Sequence, residues 1–450
     1  MKPSAEILQQ AVPTLIVGLG QSGLSCARFL ARQGVSVAVT DSRIEPPCLK
    51  QLCETLPDVP VFVGGFDEPA FSAAQRLVIS PGVSLQEPLI QQALARGVEL
   101  CSDISLFAAN AKAPIAAITG SNGKSTVTVL LGEMVKRSGR KVLLGGNIGI
   151  PALDLLDQPT PELYVLELSS FQLEIATQIN AMVATVLNIS EDHMDRYVDL
   201  DGYSAAKQAI FNGADVRVLN RDDAVVAAMT EQDQTQRWFT LQAPEANEYG
   251  LRKQDSTLWL AEGETLLLSA DEVCMAGRHN LANALAALAM GDALGLSREA
   301  MIETLRNFGG LPHRCQFVAR VNGVAWYNDS KATNVGAALA AVNGFDEKLV
   351  LIAGGQGKGA DFTSLYQAAD KLKAVVVMGE DGDKIANALQ GAVPLVSAGD
   401  MTDAVSKAQQ LAGSGESVLL SPACASLDMF DSFEQRGELF MSLVRALQHG

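Results

Sequence analysis

The stretch ITGSNGKST, residues 118–126, follows an apolar run at 113–117 and leads into a helical pattern. A strand that breaks into Gly120-Ser121-Asn122-Gly123 and enters a helix at Lys124-Ser125-Thr126 is the layout of a phosphate cradle, because backbone N–H groups and the positive end of a helix face one point. This predicts an ATP-type triphosphate site within an α/β fold. Lys124 supplies a cation near the β- and γ-phosphates, and the Ser125 or Thr126 hydroxyl is a hard oxygen ligand for Mg²⁺. The common P-loop spacing begins with glycine where this chain has Ile118, so the loop is a variant. Without its flanking strand and helix it would read as an ordinary Gly-Ser-Asn turn.

At 450 residues the chain exceeds what one hydrophobic core supports, so two or three domains are expected. There is no run of about eighteen apolar residues, and the first ten, MKPSAEILQQ, lack a basic segment followed by an apolar core. A cytoplasmic protein with no membrane span is therefore expected. Seven cysteines are scattered without metal-type spacing, which predicts reduced, buried thiols. A formal net charge of −17 repels nucleic acid and anionic membranes. Phosphorylated substrates then have to be drawn in by local cations and Mg²⁺.

Upstream of the loop, TLIVGLGQSG at 14–23 is a strand running into Gly18-x-Gly20-x-x-Gly23 and a helix. The next strand, 36–40, delivers Asp41-Ser42-Arg43 at its carboxyl end. This pattern suits NAD(P), and equally any pyrophosphate resting on a helix N-terminus. Downstream, the strand 163–168 places Glu167 beside the P-loop, either as a direct or water-mediated Mg²⁺ ligand or as a solvated strand end. The strand 184–189 empties into SEDHMDRY, 190–197, where His193 reads as a surface histidine on spacing alone. Lys207, on the following helix, reads as a solvated lysine. A β-rich excursion over 237–273 precedes RHNLAN at 278–283, whose Asn280 and Asn283 share a helix face and could meet adenine or ribose, with Asn280 as a plain N-cap the alternative.

The glycines and proline of FGGLP, 308–312, mark a linker and a hinge for domain closure. His313-Arg314 follow directly. Strands at 324–328, 349–353, 374–378, 393–396 and 418–421 then alternate with helices, which makes a third α/β unit. The fold class is α/β in three domains: 1–102, Rossmann-like; 103–310, a P-loop-type ATPase unit with a small β-rich addition; and 311–450, Rossmann-like.

The segments GSNGKST, ELSSFQ, EDHMDRY, GRHNLAN, LPHR, NDSKATN, GGQGKGADF and SPACASLDMFDSFEQRG, in this order and spacing, resemble the Mur ligase family over nearly the whole chain. Asp41-Ser42-Arg43 and SPACASLDMF point to the members that add D-glutamate to UDP-N-acetylmuramoyl-L-alanine. The resemblance implies an ATP-dependent ligase of cytoplasmic peptidoglycan synthesis, expected to act as a monomer. Its substrate carboxylate attacks the γ-phosphate to give an acyl phosphate and ADP, and an incoming amine then displaces phosphate. Two anions must meet in that step, so Mg²⁺, Lys124 and a further cation, Arg314, are needed to neutralise charge.

By the same resemblance, Ser125 or Thr126 with Glu167 would hold one Mg²⁺, and His193 with Lys207 a second. Lys207 matches a lysine that is carbamylated in most of the family. Gly120 to Thr126, Asn280 or Asn283, Arg314 and Asp329 would hold ATP. The sugar nucleotide would lie on Gly20, Gln21, Ser22, Asp41, Ser42, Arg43 and Gly82, with Asn147, Ser169 and His193 at its muramoyl-alanine end. D-Glutamate would meet Lys331, Thr333, Lys358, Ser426, Leu427 and Phe433; a phenylalanine near a helix start is also a common core residue. Other readings account for less of the chain. A folylpolyglutamate-synthetase-like ligase leaves the first 100 residues without purpose, an NAD-dependent oxidoreductase leaves the P-loop and NDSKATN unused, and a non-catalytic ATP-binding module leaves the metal-ligand set unexplained.

Overall fold

The computed structural model describes residues 14–448 apart from 177, 195, 232, 233, 276 and 346. Three sheets follow one another along the chain. In the first, five parallel strands lie with Thr14–Val17 between Val37–Asp41 and Arg76–Ile79, and Val61–Val63 and Glu99–Cys101 at the edges. Chain direction across the sheet reverses between Thr14–Val17 and Arg76–Ile79, so the loops after those strands, 18–20 and 80–83, open a crevice at their carboxyl ends. The glycine pattern serves this geometry. Gly18 has φ +95°, and a Cβ at Gly23 would overlap the Gly18 carbonyl oxygen, so the helix Gln21–Arg32 can lie this close to the strand only with glycine there.

The second sheet has nine strands, and its order places the functional loops together. Ile115–Thr119, which feeds the P-loop, is flanked by Leu163–Glu167 and Val183–Val186, both parallel to it. The P-loop, Glu167 and the loop after Val186 therefore emerge side by side. All three strands are fully buried, which is why they read as continuous apolar runs. The β-rich excursion extends the same sheet: Glu248–Gln254, Thr257–Glu262 and Thr265–Ser269 form an antiparallel meander at one edge. The third sheet has six strands and is parallel except for the edge hairpin of Gln316–Val321 and Val324–Asn328. Among the described residues no helix is long and apolar enough to cross a membrane.

The structure departs from the sequence pattern in a few places. Val142–Gly146 is an edge strand, part-buried and ending in two glycines, so its pattern is faint. The N-cap of the helix Arg278–Ala293 is Gly277, so Asn280 is not the cap and lies inside the first turn. Cys53 and Cys274 are exposed, whereas the other five cysteines are buried; all seven are free. Replacing Gly23 with alanine should lower unfolding free energy by about 2–3 kcal/mol through overpacking. Urea titration checks this, with Gly20→Ala, where a Cβ meets nothing within 4 Å, as the mild control.

Candidate functional site

The P-loop turns on two left-handed glycines, Gly120 at φ +147° and Gly123 at φ +86°. Gly123 caps the helix Lys124–Arg137, whose first ladder bond runs from the Val127 N–H to the Gly123 carbonyl, leaving the N–H groups of 124–126 outside the ladder. Other loop donors are already used. The Ser121 N–H bonds the Asn188 carbonyl (2.9 Å), and the Asn122 N–H bonds Asn188 Oδ1 (2.8 Å). The Ser121 hydroxyl donates to the Ser190 carbonyl (2.9 Å) and lies 3.2 Å from the Tyr203 hydroxyl. Ser121, expected against ATP, instead ties the P-loop to the neighbouring loop.

Two lysines converge on the Gly120 carbonyl. Lys124 Nζ donates to it at 2.8 Å and to the Ser121 carbonyl at 2.9 Å, and Lys207 Nζ donates to it at 3.0 Å. Lys207 is not the solvated lysine that its composition suggests. It is 1% exposed and lies over the Tyr203 ring at 4.5 Å. Burial, reinforced by Lys124, drives its pKa well below the usual lysine value. Burial likewise lowers Lys124, Arg314 and Lys331, opposed in each case by Glu167. Glu167 acts on all four cations, joined by Asp192 at Lys124 and Lys207 and by Asp329 at Arg314. Glu167 is 3% exposed; Asn147 Nδ2 donates to its Oε1 (2.8 Å), while Oε2 is buried with no hydrogen-bond partner.

That orphaned oxygen beside buried Ser125 and Thr126 fits a hard divalent cation. Among the described residues no three His, Cys, Asp or Glu side chains gather into a ready-made metal cage. A Mg²⁺ here would complete its shell with hydroxyl, phosphate and water oxygens, as Mg²⁺ at nucleotide sites usually does. His193, at φ +58°, packs its ring 4.7 Å from Phe171, with the Asp192 carboxylate 3.8 Å from Nε2.

A cavity of about 290 Å³ opens beside the P-loop between the second and third sheets. Asn122, Gly123, Thr126, Asn280, Asn283, Arg314 and Asp329 all line it, so most of the residues expected at ATP come together. Asn283 Nδ2 donates to Asn280 Oδ1 (3.0 Å), and Arg314 Nε is buried without a partner. The wall from the third domain is the helix Val335–Asn343, whose N-cap Asn334 reaches Asp192 (3.2 Å). His279 was not expected here. It also lines the cavity, its ring hydrogen-bonds the Ala340 backbone, and burial with Arg314 nearby lowers its pKa to about 4. Asp329 accepts from the Cys315 N–H (3.1 Å) and the Ser421 hydroxyl (2.7 Å), and burial raises its pKa to about 6.

A second cleft of about 580 Å³ lies between the first and second sheets, lined by Gly20, Gln21, Ser22, Asp41, Ser42, Arg43, Gly82 and Asn147. Asp41 takes the Leu19 N–H (2.7 Å) and the Arg43 N–H (2.9 Å), and the Arg43 guanidinium at 2.9 and 2.7 Å. Burial would raise its pKa, but Arg43 and the two N–H groups outweigh this and hold it low. Its chief work is to fix the glycine turn and aim Arg43. Ser169 does not line the cleft; its hydroxyl accepts from the Gln172 N–H (3.3 Å) as the cap of the helix Ser170–Leu173. Gln172 lines the cleft in its stead, a contact that the capping spacing S-x-x-Q at 169–172 could have flagged.

The residues expected at D-glutamate sit on three loops at the carboxyl ends of adjacent parallel strands, Val324–Asn328, Leu349–Gly354 and Ser417–Leu420. None of Lys331, Thr333, Lys358, Ser426, Leu427 and Phe433 lines the two cavities above. Lys331 Nζ stands 5.1 Å over the Phe433 ring, so this ring is no plain core residue. Lys358 is exposed, Leu427 is 65% exposed and Ser426 is buried. Arg436, which no sequence argument singled out, joins the loops: its guanidinium, fully buried, donates to the Ser330 hydroxyl (2.9 Å) and to the Ser330, Cys424 and Ala425 carbonyls. Ala425 in turn pairs with Gln356.

Three family profiles match this chain in the same order: the MurD-like N-terminal domain of Mur ligases at 13–102, the Mur ligase middle domain at 118–291, and the Mur ligase glutamate ligase domain at 313–424. UDP-N-acetylmuramoylalanine–D-glutamate ligases are similar over nearly their full length. That of Nitrosococcus oceani is 53% identical over 98% of both chains, and that of Pseudomonas putida 54% identical over 96% of this chain and 97% of its own. This chain belongs to the Mur ligase family. Solved structures agree on the fold: Thermotoga maritima MurC aligns over 96% of this chain with a TM-score of 0.59 at 18% identity, and E. coli FolC over only 76% with a TM-score of 0.58 at 18% identity. This Mur ligase thus combines the three-domain α/β architecture with an ATP-binding middle domain.

Asp329 supplies a pH test. Its folded pKa of about 6 lies above the usual carboxylate value of 3.8, so the folded state holds the proton where the unfolded chain has lost it. The stability it contributes is full below about pH 4 and is lost as pH rises through about 6, about 3 kcal/mol over that window. The unfolding free energy of Asp329→Asn relative to wild type should therefore rise between pH 4 and 6; a flat difference would rule out the buried, raised carboxylate.

Proposed function

We propose that this chain is an ATP-dependent ligase that joins D-glutamate to UDP-N-acetylmuramoyl-L-alanine through an acyl phosphate, releasing ADP and phosphate, and that it works as a cytoplasmic monomer. The observation that carries the reading is the gathering of Lys124, Lys207, Arg314 and Lys331 around the half-satisfied Glu167. Burying several cations is costly even with Glu167, Asp192 and Asp329 to oppose the cost, and a polyanion offsets it further. Triphosphate in the P-loop cradle and a substrate carboxylate are such anions. The kinship with D-glutamate ligases at 53% and 54% identity supports the choice of amino acid.

The ATP phosphates rest on the N–H groups of 124–126 and on Lys124, with adenosine between Asn280 or Asn283 and Asp329. The sugar nucleotide occupies the cleft at Gly20, Asp41 to Arg43 and Gly82, and its carboxylate approaches past Asn147. A carboxylate oxygen forms a bond to the γ-phosphorus as the bond to ADP breaks, while Lys124 and Arg314 offset the gathering negative charge. The D-glutamate amine, held by Lys331 and the loops bearing Thr333, Lys358, Ser426, Leu427 and Phe433, then adds to the acyl carbon. Phosphate leaves with the bonding pair, and the amine gives up its proton. Mg²⁺ on Glu167 with the Ser125 or Thr126 hydroxyl, and a second Mg²⁺ on His193 and Lys207, would withdraw charge from the phosphate oxygens. For the second site Lys207 acts as a carbamate. Burial, with Lys124 beside it, pushes the Lys207 pKa well down, which favours loss of the ammonium proton and addition of the amine to CO2, with loss of a second proton, to give a carboxylate-like ligand.

Two measurements test this. Purified protein with Mg-ATP and UDP-N-acetylmuramoyl-L-alanine should sustain phosphate release only when D-glutamate is added; equal turnover with L-glutamate rejects the assignment. Lys207→Ala should lose at least about 100-fold in turnover, with partial rescue by short carboxylic acids. Full activity of that variant would remove Lys207 from the metal site.

A further inference from the structure

Arg196 lies where the first and second domains meet, and the mechanism above does not use it. Its guanidinium donates to the Pro81 carbonyl (3.3 Å) and the Val83 carbonyl (3.1 Å), on either side of Gly82 in the wall of the sugar-nucleotide cleft. The same group donates to Glu174 Oε2 (2.8 Å) and lies 4.7 Å from the centre of the Phe171 ring. Phe171 also packs against the His193 ring at 4.7 Å, and the Arg196 N–H bonds the His193 carbonyl (2.9 Å), closing the turn in which His193 takes a left-handed φ of +58°. Arg196 thus belongs to the His193 loop of one domain, and its side chain touches the cleft wall of the other. The pair is well shielded, with Arg196 14% and Glu174 16% exposed, so its hydrogen bonds are weakly screened.

We infer that Arg196 is a positioning residue that couples the sugar-nucleotide cleft to the His193 loop, so that the Pro81–Gly82–Val83 wall and the proposed second metal site keep a fixed relation. The inference rests on the ligand assignments proposed above. A planar fork can serve two carbonyls and a carboxylate while stacking on a ring, and a lysine ammonium cannot do all of these at once. Other contacts between these domains come from the helix Gln21–Arg32, where Ser25 meets Asp154 and Arg32 meets Asp157, and from Ile175, which packs into the first domain's core. The two polar pairs join the helix Gln21–Arg32 to the turn Ala152–Asp157, whereas the Pro81 and Val83 carbonyls take the Arg196 guanidinium.

The test compares wild type with Arg196→Ala and Arg196→Lys in steady-state kinetics, varying each substrate and Mg²⁺ separately, with UDP titrated by calorimetry as a binding probe that needs no turnover. Both variants should raise the KM for sugar nucleotide about tenfold and the Mg²⁺ concentration for half-activation, leaving the KM for ATP and D-glutamate within twofold. UDP should bind correspondingly more weakly. Should Arg196→Ala not fold, Glu174→Gln, which frees the guanidinium without removing it, should show the same selective rise at smaller size. Unchanged constants, or an equal rise for all three substrates, would overturn the coupling. Failure of wild type to bind UDP or turn over would instead reject the functional reading on which the coupling rests.

Discussion

Two ammonium groups share one carbonyl oxygen at the heart of this protein: Lys124 and Lys207 both donate to Gly120. Like charges drawn this close inside a fold repel, and burial adds a desolvation cost to both. The arrangement needs Glu167 nearby, and it is poised for further negative charge. Around this point the sheet orders its loops, because Leu163–Glu167 and Val183–Val186 flank the P-loop strand and deliver their loops to the same edge. Arg314 and Lys331 enter from the third domain, whose helix Val335–Asn343 is tied through its cap Asn334 to Asp192.

Glu167 is tied to the cleft between the first and second sheets through one lining residue. Asn147 lines the cleft against the first domain, and its amide donates to Glu167, whose second oxygen is left for a cation. The GGNIG turn is held to that strand by backbone as well: the Asn147 N–H bonds the Glu167 carbonyl at 2.8 Å, and a side chain at Gly146 would collide with it. In the third domain the loops after the parallel strands hang on the buried Arg436.

Much of the fold was legible because its inner strands are buried on both faces and read as plain apolar runs closed by glycine. The P-loop turn was legible because it bends at Gly120 and Gly123, and glycine at fixed spacing is visible. Lys207 was not. Its chemistry depends on burial against Tyr203 and Lys124, and a one-dimensional pattern carries no information about the dielectric around an amine. Ser121 and Ser169, expected at ligands, both make internal hydrogen bonds, a use that a hydroxyl beside a loop does not announce in sequence. Arg436, Gln172 and His279 escaped notice because their partners lie far away in the chain or across a domain boundary.

The sequence by itself determined the kind of parts: a phosphate cradle, a second glycine turn ending in Asp41-Ser42-Arg43, and a third α/β unit rich in conspicuous polar loops. These are local, encoded in spacing and residue type, and survive without knowledge of neighbours. Only the tertiary structure decided which groups are dry, which are spent on internal hydrogen bonds, and which remain free to meet a ligand. The physical reason is that protonation state and hydrogen-bond capacity belong to an environment assembled from distant segments, as Glu167 shows: one oxygen is satisfied by Asn147, and the other waits in a buried setting ringed by cations.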